Sequence, residues 1–412
     1  MKPTFEVTPT KFTYGGECLA RLPDGRAVFI PYTLPGETIK IRLTEDKPRY
    51  ARAELLEILF PAPERITPKC PHFMHCGGCH YQHMPYPEQL KAKKDIIQDQ
   101  LQRIGKIADA PIQNTVPSPS PWNYLNHIQF HLTPEGTLGF KAFRSEKIIP
   151  IQECHLADEL ISAIWPTLEF DYIPGLEKIS LRSGEGGEDA LLILESSDPQ
   201  PFEFSVDFPI SAVSLGPEGH IVLSGDEFTI LEMGGFPFVV SAGSFFQTNT
   251  AVTELLVKHL IETLPLTPST TLLEMYCGVG LFSLFLAPEV EKLIGIESSP
   301  SAAEDFMYNL AEFPNVEFYE ASAEEILPRL TLSPDVILVD PPRGGVGLKA
   351  LDGMLALEPE TIAYISCDPT TLARDAHRLE KGGYKLKQVT PFDMFPQTFH
   401  IESVSIFERD NH

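Results

Sequence analysis

An α/β fold is predicted for this 412-residue chain, with a C-terminal Rossmann-like doubly wound sheet preceded by two β-rich regions. Three observations predict it. From Ala251 onward, helical and strand patterns alternate, the signature of a parallel sheet with crossover helices. From Trp122 to Phe238, short apolar runs are separated by Pro and Gly. Over residues 1–60, turn signals recur every few residues, as in a small β-barrel. A chain of this length is too long for one core and long enough for two or three domains.

Taken in order, Phe12 to Arg21 reads as a strand region carrying Tyr14-Gly15-Gly16, followed by a turn at Leu22-Pro-Asp-Gly-Arg26. Ala27–Tyr32 is a strand, Leu34-Pro-Gly-Glu37 a turn, Thr38–Leu43 an alternating strand expected at an edge, and Tyr50–Leu59 one more. Together they suggest an OB-like barrel, and Lys11, Arg21, Arg26, Lys40, Arg42, Lys47, Arg49 and Arg52 make it locally basic. Lys91–Ile104 is an amphipathic helix with Leu90, Ile97, Leu101 and Ile104 on one face. Ala110–Pro121, rich in Pro and Ser, reads as a linker. The central strands fall at 128–132, 138–142, 179–182, 190–194 and 228–231. After a helix at Val252–Thr263, strands are expected at 271–275, 292–296, 316–319, 336–339 and 361–366, with 385–389 and 402–407 as an antiparallel edge.

Composition narrows the class. Hydrophobic and charged contents of 43% and 22% are those of a soluble globular protein. There is no apolar run long enough for a bilayer and no signal-peptide core, so a cytoplasmic protein without membrane contact is expected. Seven cysteines, an odd number, fit a disulfide framework poorly. The net charge of −25 runs against a nucleic-acid grip over the whole surface, leaving only a local basic groove for that role.

Four stretches carry chemistry. Cys367 sits where the strand Thr361–Ser366 ends; Asp-Pro breaks the strand, and Thr370 is placed to cap a helix beginning near Leu372. Partial exposure and a helix N-terminus favour a thiolate there, although free cysteines are as often small core residues. Glu274-Met-Tyr276-Cys-Gly278-Val-Gly280 follows one strand, and a second strand ends at Glu297, seventeen residues beyond the second glycine. Such a pair lets backbone approach a nucleoside while a carboxylate takes the ribose hydroxyls. Asp340-Pro-Pro-Arg343 ends the fourth strand, as a carboxylate over the crevice or simply a rigid turn. Cys70, Cys76 and Cys79, with Cys154 to complete the set, suit zinc or an iron-sulfur cluster. Glu402 enters an apolar strand from a Pro- and aromatic-rich loop, as a high-titrating base or a solvated strand end.

Taken together, these stretches resemble the S-adenosylmethionine (SAM)-dependent RNA uracil-5-methyltransferases, in their iron-sulfur 23S ribosomal RNA branch, over nearly the whole chain. The resemblance implies a TRAM domain at residues 1–60, carried by Val28-Phe-Ile-Pro31 and Leu34-Pro-Gly-Glu37. It implies a central iron-sulfur domain at 61–90 and 121–244, and a methyltransferase domain at 91–120 and 245–412. It makes Cys70, Cys76, Cys79 and Cys154 a [4Fe-4S] ligand set, Cys367 the nucleophile on carbon 6 of uracil, and Glu402 the base. Gln247, within Ser244-Phe-Phe-Gln247-Thr-Asn249, falls at the cofactor and substrate, and Tyr276, Gly278, Gly280, Leu281, Glu297, Ser322 and Asp340 at the cofactor. Three positions depart from the family pattern: Glu274 for Asp, Leu281 for Asn, and Ser322 for an acidic residue facing the adenine. Each bears on cofactor affinity, and none removes a catalytic group. The implied partner is RNA, ribosomal in preference to transfer RNA, acted on by a monomer. Two rival readings remain. One is an inactive cluster-bearing RNA-binding sensor; the other, an adenine-N6 methyltransferase, is disfavoured by Arg343 and Cys367.

Overall fold

Turn chemistry shapes the first sixty residues of the computed structural model, which describes residues 3–171, 173–184, 189–198 and 208–410. Six strands form one sheet in the order Thr4–Val7, Thr38–Asp46, Tyr50–Phe60, Ala27–Pro31, Glu17–Arg21, Lys11–Thr13. The inward face of Thr38–Asp46 supplies Ile39, Ile41 and Leu43 to a small core with Val28, Ile30 and Ala51. This strand was expected at an edge, but it pairs on both sides, with Thr4–Val7 and Tyr50–Phe60. Alternation reports one wet face, not a free edge. The expected basic face is also muted. Lys11, Arg26, Arg42, Lys47 and Arg52 each pair with a nearby carboxylate.

The central region is a seven-stranded sheet in the order 219–224, 211–216, 190–196, 176–183, 127–132, 138–141, 148–150, and Phe130, Ile179, Leu181, Leu192 and Trp165 lie in its core. The hairpin Phe228–Met233/Phe236–Ser241 is a separate two-stranded sheet, tied to the central one where Arg182 donates to Val240 O and Ser241 O. Its Leu231, Met233, Phe238 and Val240 pack with Val252, Leu256 and Phe282 of the C-terminal half.

The C-terminal sheet holds β1 (Thr271–Met275), β2 (Lys292–Glu297), β3 (Val316–Glu320), β4 (Val336–Val339), β5 (Thr361–Ser366), β6 (Tyr384–Phe392) and β7 (Glu402–Arg409). Their spatial order is β3-β2-β1-β4-β5-β7-β6. Strands β1 to β5 are parallel; β1, β2, β4 and β5 are buried on both faces, which explains their apolar runs, whereas β3 lies at the edge with Glu317 and Glu320 exposed. Antiparallel β7 lies between β5 and β6. The order reverses at β1, so the crevice beyond the carboxyl ends of β1 and β4 is the expected ligand site.

The helix before this sheet spans Tyr86–Gln100, with Pro87 in its first turn, and runs on through a π-helical turn at Leu101–Gly105. It begins five residues before the predicted start because a Pro in the first turn of a helix, where its missing N–H has no partner to lose, is tolerated rather than breaking. Residues 110–121, expected to be a linker, run along β6 instead: Ile112 and Val116 form parallel bridges with Val389 and Phe392.

Candidate active site

Five parallel strands deliver their last residues to one rim. Tyr276, Gly278 and Gly280 follow β1, Glu297 ends β2, Ser322 lies just past β3, Asp340 follows β4 and Cys367 follows β5. Glu402 reaches the same rim by a different route. The β5–β7 ladder runs antiparallel to its last pair, Ser366 with Ser403, so the next step sets Cys367 against Glu402.

The glycine turn is tightly built. Gly280 has φ +86°, and a Cβ there would come within 2.3 Å of Leu310 Cδ2. Tyr276, with a φ of 60°, takes the left-handed conformation without being glycine. Leu281 opens the following helix with its side chain buried. Glu297 is held before any ligand arrives: Gly278 N–H donates to Oε2 at 3.1 Å, and Ser298 and Ser299 N–H donate to Oε1 at 2.7 Å each. A pinned carboxylate, still with unused lone pairs, suits ribose recognition. Ser322 caps the short helix after β3 with its backbone rather than its hydroxyl. Gln247 is buried, and its carbonyl accepts from Asn126 Nδ2 at 3.1 Å. Two residues on, Asn249 caps Thr250–Thr263 and donates to Met394 O.

Cys367 departs from the thiolate expectation. Burial pushes its thiol up to about 12; Glu402, Asp340 and Asp368 add to the rise, and Arg343 opposes it. The helix N-terminus that was expected to favour the anion is already spent. Asp368 is the cap, not Thr370, and accepts from the Thr370 and Thr371 N–H groups of a helix that begins at Pro369. The resting group is therefore a thiol. Glu402 is 3% exposed and carries one oxygen without a partner, which rules out a solvated strand end. Its carboxyl is pushed well up by burial and then by Asp340. Asp340 is itself raised by burial. Two facing carboxyls that both resist ionisation next to a thiol form a proton-handling group.

One contributor has no local signal in the sequence. Tyr14, from the barrel turn, faces Asp368, and its phenol titrates high through burial and the nearby Asp368 and Cys367. The loop before Glu402 is likewise fixed from outside the sheet. Lys93 donates to Asp393 and to Phe395 O, both ion-pair side chains being fully buried.

The four expected metal cysteines share one cavity of about 120 Å³, with Phe73, Leu125, Ile128, Phe140 and Leu156 among its walls. None of the four is in a disulfide. Burial raises each thiol, and neighbouring cysteines add to the rise for Cys76, Cys79 and Cys154. Among the described residues, no three His, Cys, Asp or Glu side chains converge closely enough to hold one metal ion.

Comparison with known proteins gives a consistent result. Residues 226–410 match the tRNA (Uracil-5-)-methyltransferase family, and residues 3–56 match the TRAM domain. An uncharacterized RNA methyltransferase of Halalkalibacterium halodurans is 35% identical, covering 98% of this chain and 97% of its own. The 23S rRNA (uracil(1939)-C(5))-methyltransferase RlmD of Shewanella sediminis is 34% identical over 99% and 96%. Among solved structures, the tRNA (uracil-54, C5)-methyltransferase of Pyrococcus abyssi, in complex with S-adenosyl-L-homocysteine, superposes with a TM-score of 0.73 at 24% identity, covering 98% and 100%. The chain belongs to the SAM-dependent RNA uracil-5-methyltransferase family and carries that family's TRAM domain ahead of its Rossmann-like fold.

Proposed function

We propose that the protein methylates carbon 5 of one uridine in 23S ribosomal RNA through a covalent adduct between Cys367 and carbon 6 of the base. The observation that carries this reading is the Cys367–Glu402 juxtaposition across the β5–β7 ladder, with Asp340 beside both. SAM supplies the electrophilic methyl group. Gln247, Tyr276, Gly278, Gly280, Leu281, Glu297, Ser322 and Asp340 line its crevice, and Glu297 takes the ribose.

The residues of the chain do the rest. Asp340 accepts the thiol proton, since a carboxyl raised toward the operating pH is a competent base. Cys367 Sγ adds to carbon 6, placing electron density on carbon 5, which takes the methyl group as its bond to the sulfonium breaks and S-adenosylhomocysteine leaves. Glu402, having first released its own proton to solvent, removes the carbon-5 proton. The carbon 5–carbon 6 double bond re-forms, the bond from sulfur to carbon 6 breaks, and the thiolate leaves. The uracil has to leave its stack to reach this rim.

Cys70, Cys76, Cys79 and Cys154 hold a [4Fe-4S] cluster in this reading. What supports this reading is that the four cysteines, Cys154 far from the other three in sequence, line one small apolar cavity. The cluster's role is structural. Iron and sulfide content of anaerobically purified protein checks it, and zinc in their place would sink it. The protein acts in the cytoplasm as a monomer, which sedimentation checks.

The relative from Shewanella sediminis favours ribosomal RNA, and the fold neighbour from Pyrococcus abyssi bears a transfer-RNA name. Mapping 5-methyluridine in both RNAs, from cells with and without the protein, decides between them. Loss from 23S RNA alone is expected; loss from transfer RNA alone overturns the ribosomal assignment. No loss from either, with no SAM binding, favours the inactive sensor.

A further inference from the structure

A cavity of about 440 Å³ opens beside the catalytic rim, where the barrel turn, the cysteine loop, residues 141–146 and the 399–400 corner meet. That size falls within the roughly 300–1,000 Å³ of small-ligand sites. Its walls include two half-buried aromatic rings, Phe143 and Phe399, and its rim two cations, Lys141 and Arg144. The Arg144 guanidinium lies over the Phe143 ring at 5.2 Å and holds Glu17 at 3.0 Å. Both groups are thus oriented in advance. Lys141 pairs with Glu146, an exposed carboxylate on the same rim.

The cavity adjoins the chemistry by direct packing. Phe399 meets Tyr14 edge-on at 5.7 Å, and Tyr14 faces Asp368, next to Cys367. Phe399 also packs on His400 at 4.3 Å, two residues before Glu402. Flat rings beside fixed cations match an unstacked nucleotide, which needs a π-face for its base and a guanidinium for its phosphate.

We propose that this cavity seats the base of an RNA nucleotide flanking the target uridine, stacked on Phe143 and Phe399, with its phosphate on Arg144 and Lys141. The proposal takes RNA as the ligand from the function given above. A flanking base held here would pull the strand across Tyr14 and help feed its neighbour toward Cys367.

The test uses the full-length protein and two labelled probes read by fluorescence anisotropy: a uridine decamer and an abasic ribose-phosphate decamer. Phe143→Ala is expected to weaken the uridine decamer roughly five- to hundredfold while leaving the abasic one within about twofold. Phe143→Trp is expected to restore binding, and Arg144→Gln to weaken both decamers alike. Unchanged binding of S-adenosylhomocysteine reports that each variant is folded. Independently of any variant, a 5-iodouridine decamer irradiated on the wild-type protein is expected to crosslink to Phe143 or Phe399. Equal affinity of wild type and Phe143→Ala for the uridine decamer overturns the proposal, as do crosslinks confined to other peptides. Methylation is not the readout. Normal methylation with failed binding effects sinks this cavity alone, and absent methylation with intact binding effects sinks the catalytic reading alone.

Discussion

Replacing Glu274 by glutamine should reverse the sign of its effect on stability between pH 5 and pH 8. Glu274 lies in β1, fully buried, with Ser283 donating to one oxygen and no partner on the other. Burial pushes its carboxyl from 4.5 up to about 8; Ser283 opposes the rise and Asp340 adds to it. Between these two pH values the unfolded chain has released this proton while the folded protein keeps it. Stability therefore falls with rising pH, by ~1.4 kcal/mol per pH unit and on the order of 4–5 kcal/mol by pH 8. Below pH 4.5 both states are protonated, and the contribution is fully present. Glutamine does not titrate, but its amide leaves a buried donor to satisfy, costing ~1–2 kcal/mol at any pH. At pH 5 the variant should thus be slightly less stable than wild type, and at pH 8 more stable by ~2–4 kcal/mol. A multi-domain chain need not unfold in one step. The measurement is accordingly the opening free energy of β1 by hydrogen exchange, over residues 272–275, at both pH values. Parallel pH profiles for the two proteins would show that Glu274 is ionised when folded and would refute the reasoning.

Cys367→Ala should bring methylation below a thousandth of wild type, at least ~4 kcal/mol of barrier, whereas Glu402→Gln should accumulate a protein–RNA adduct stable to denaturing electrophoresis. An adduct that fails to form in Glu402→Gln would remove Glu402 from the resolving step. Lys93→Met strands the buried Asp393 and should cost ~3–5 kcal/mol of local opening free energy, read by hydrogen exchange over residues 90–97, with part of the loss recovered in Lys93→Met/Asp393→Leu. Gly280→Ala sets a Cβ against Leu310 at a φ of +86°, and should cost ~1–2 kcal/mol and weaken S-adenosylhomocysteine binding in calorimetry.

The elements were legible where a pattern is local. Apolar runs located β1, β2, β4 and β5, and the strand-end positions of Tyr276, Glu297, Asp340 and Cys367 followed from them. What was not legible depends on chain brought from elsewhere. The Cys367 thiol is raised by burial and then by Glu402 and Asp340, 35 residues after it and 27 before it, and no local motif shows that both would face it. The edge assignment of Thr38–Asp46 failed for a similar reason, since its outer partner, Thr4–Val7, lies more than thirty residues upstream. The cap was misassigned between neighbours. Asp368 and Thr370 are both good capping residues, and only the backbone direction at Asp-Pro decides for Asp368.

The loop from Asp393 to His400 explains why a sheet edge alone does not make this site. Glu402 is useful only if β7 enters the ladder in the register that opposes it to Cys367, and a slip of one residue would point it to the other face. Register is fixed by the loop feeding the strand, and here nearly every feature of that loop is held by another element. Gln89 exchanges hydrogen bonds with Gln397, whose φ of 67° is strained for a residue that is not glycine. The N–H groups of His80 and Tyr81, next to Cys79, both donate to Gln397 O. Tyr124 donates to Pro396 O and Asn249 to Met394 O, while Val116 O accepts from Asp393 N. The helix Tyr86–Gln100, the cysteine loop, the central region and the strap along β6 thus converge on eight residues. A strained turn persists only when its surroundings over-determine it. On the proposed mechanism, the segment carrying Cys70, Cys76 and Cys79 would act through geometry, since the backbone N–H groups of His80 and Tyr81 hold the turn that sets Glu402 opposite Cys367.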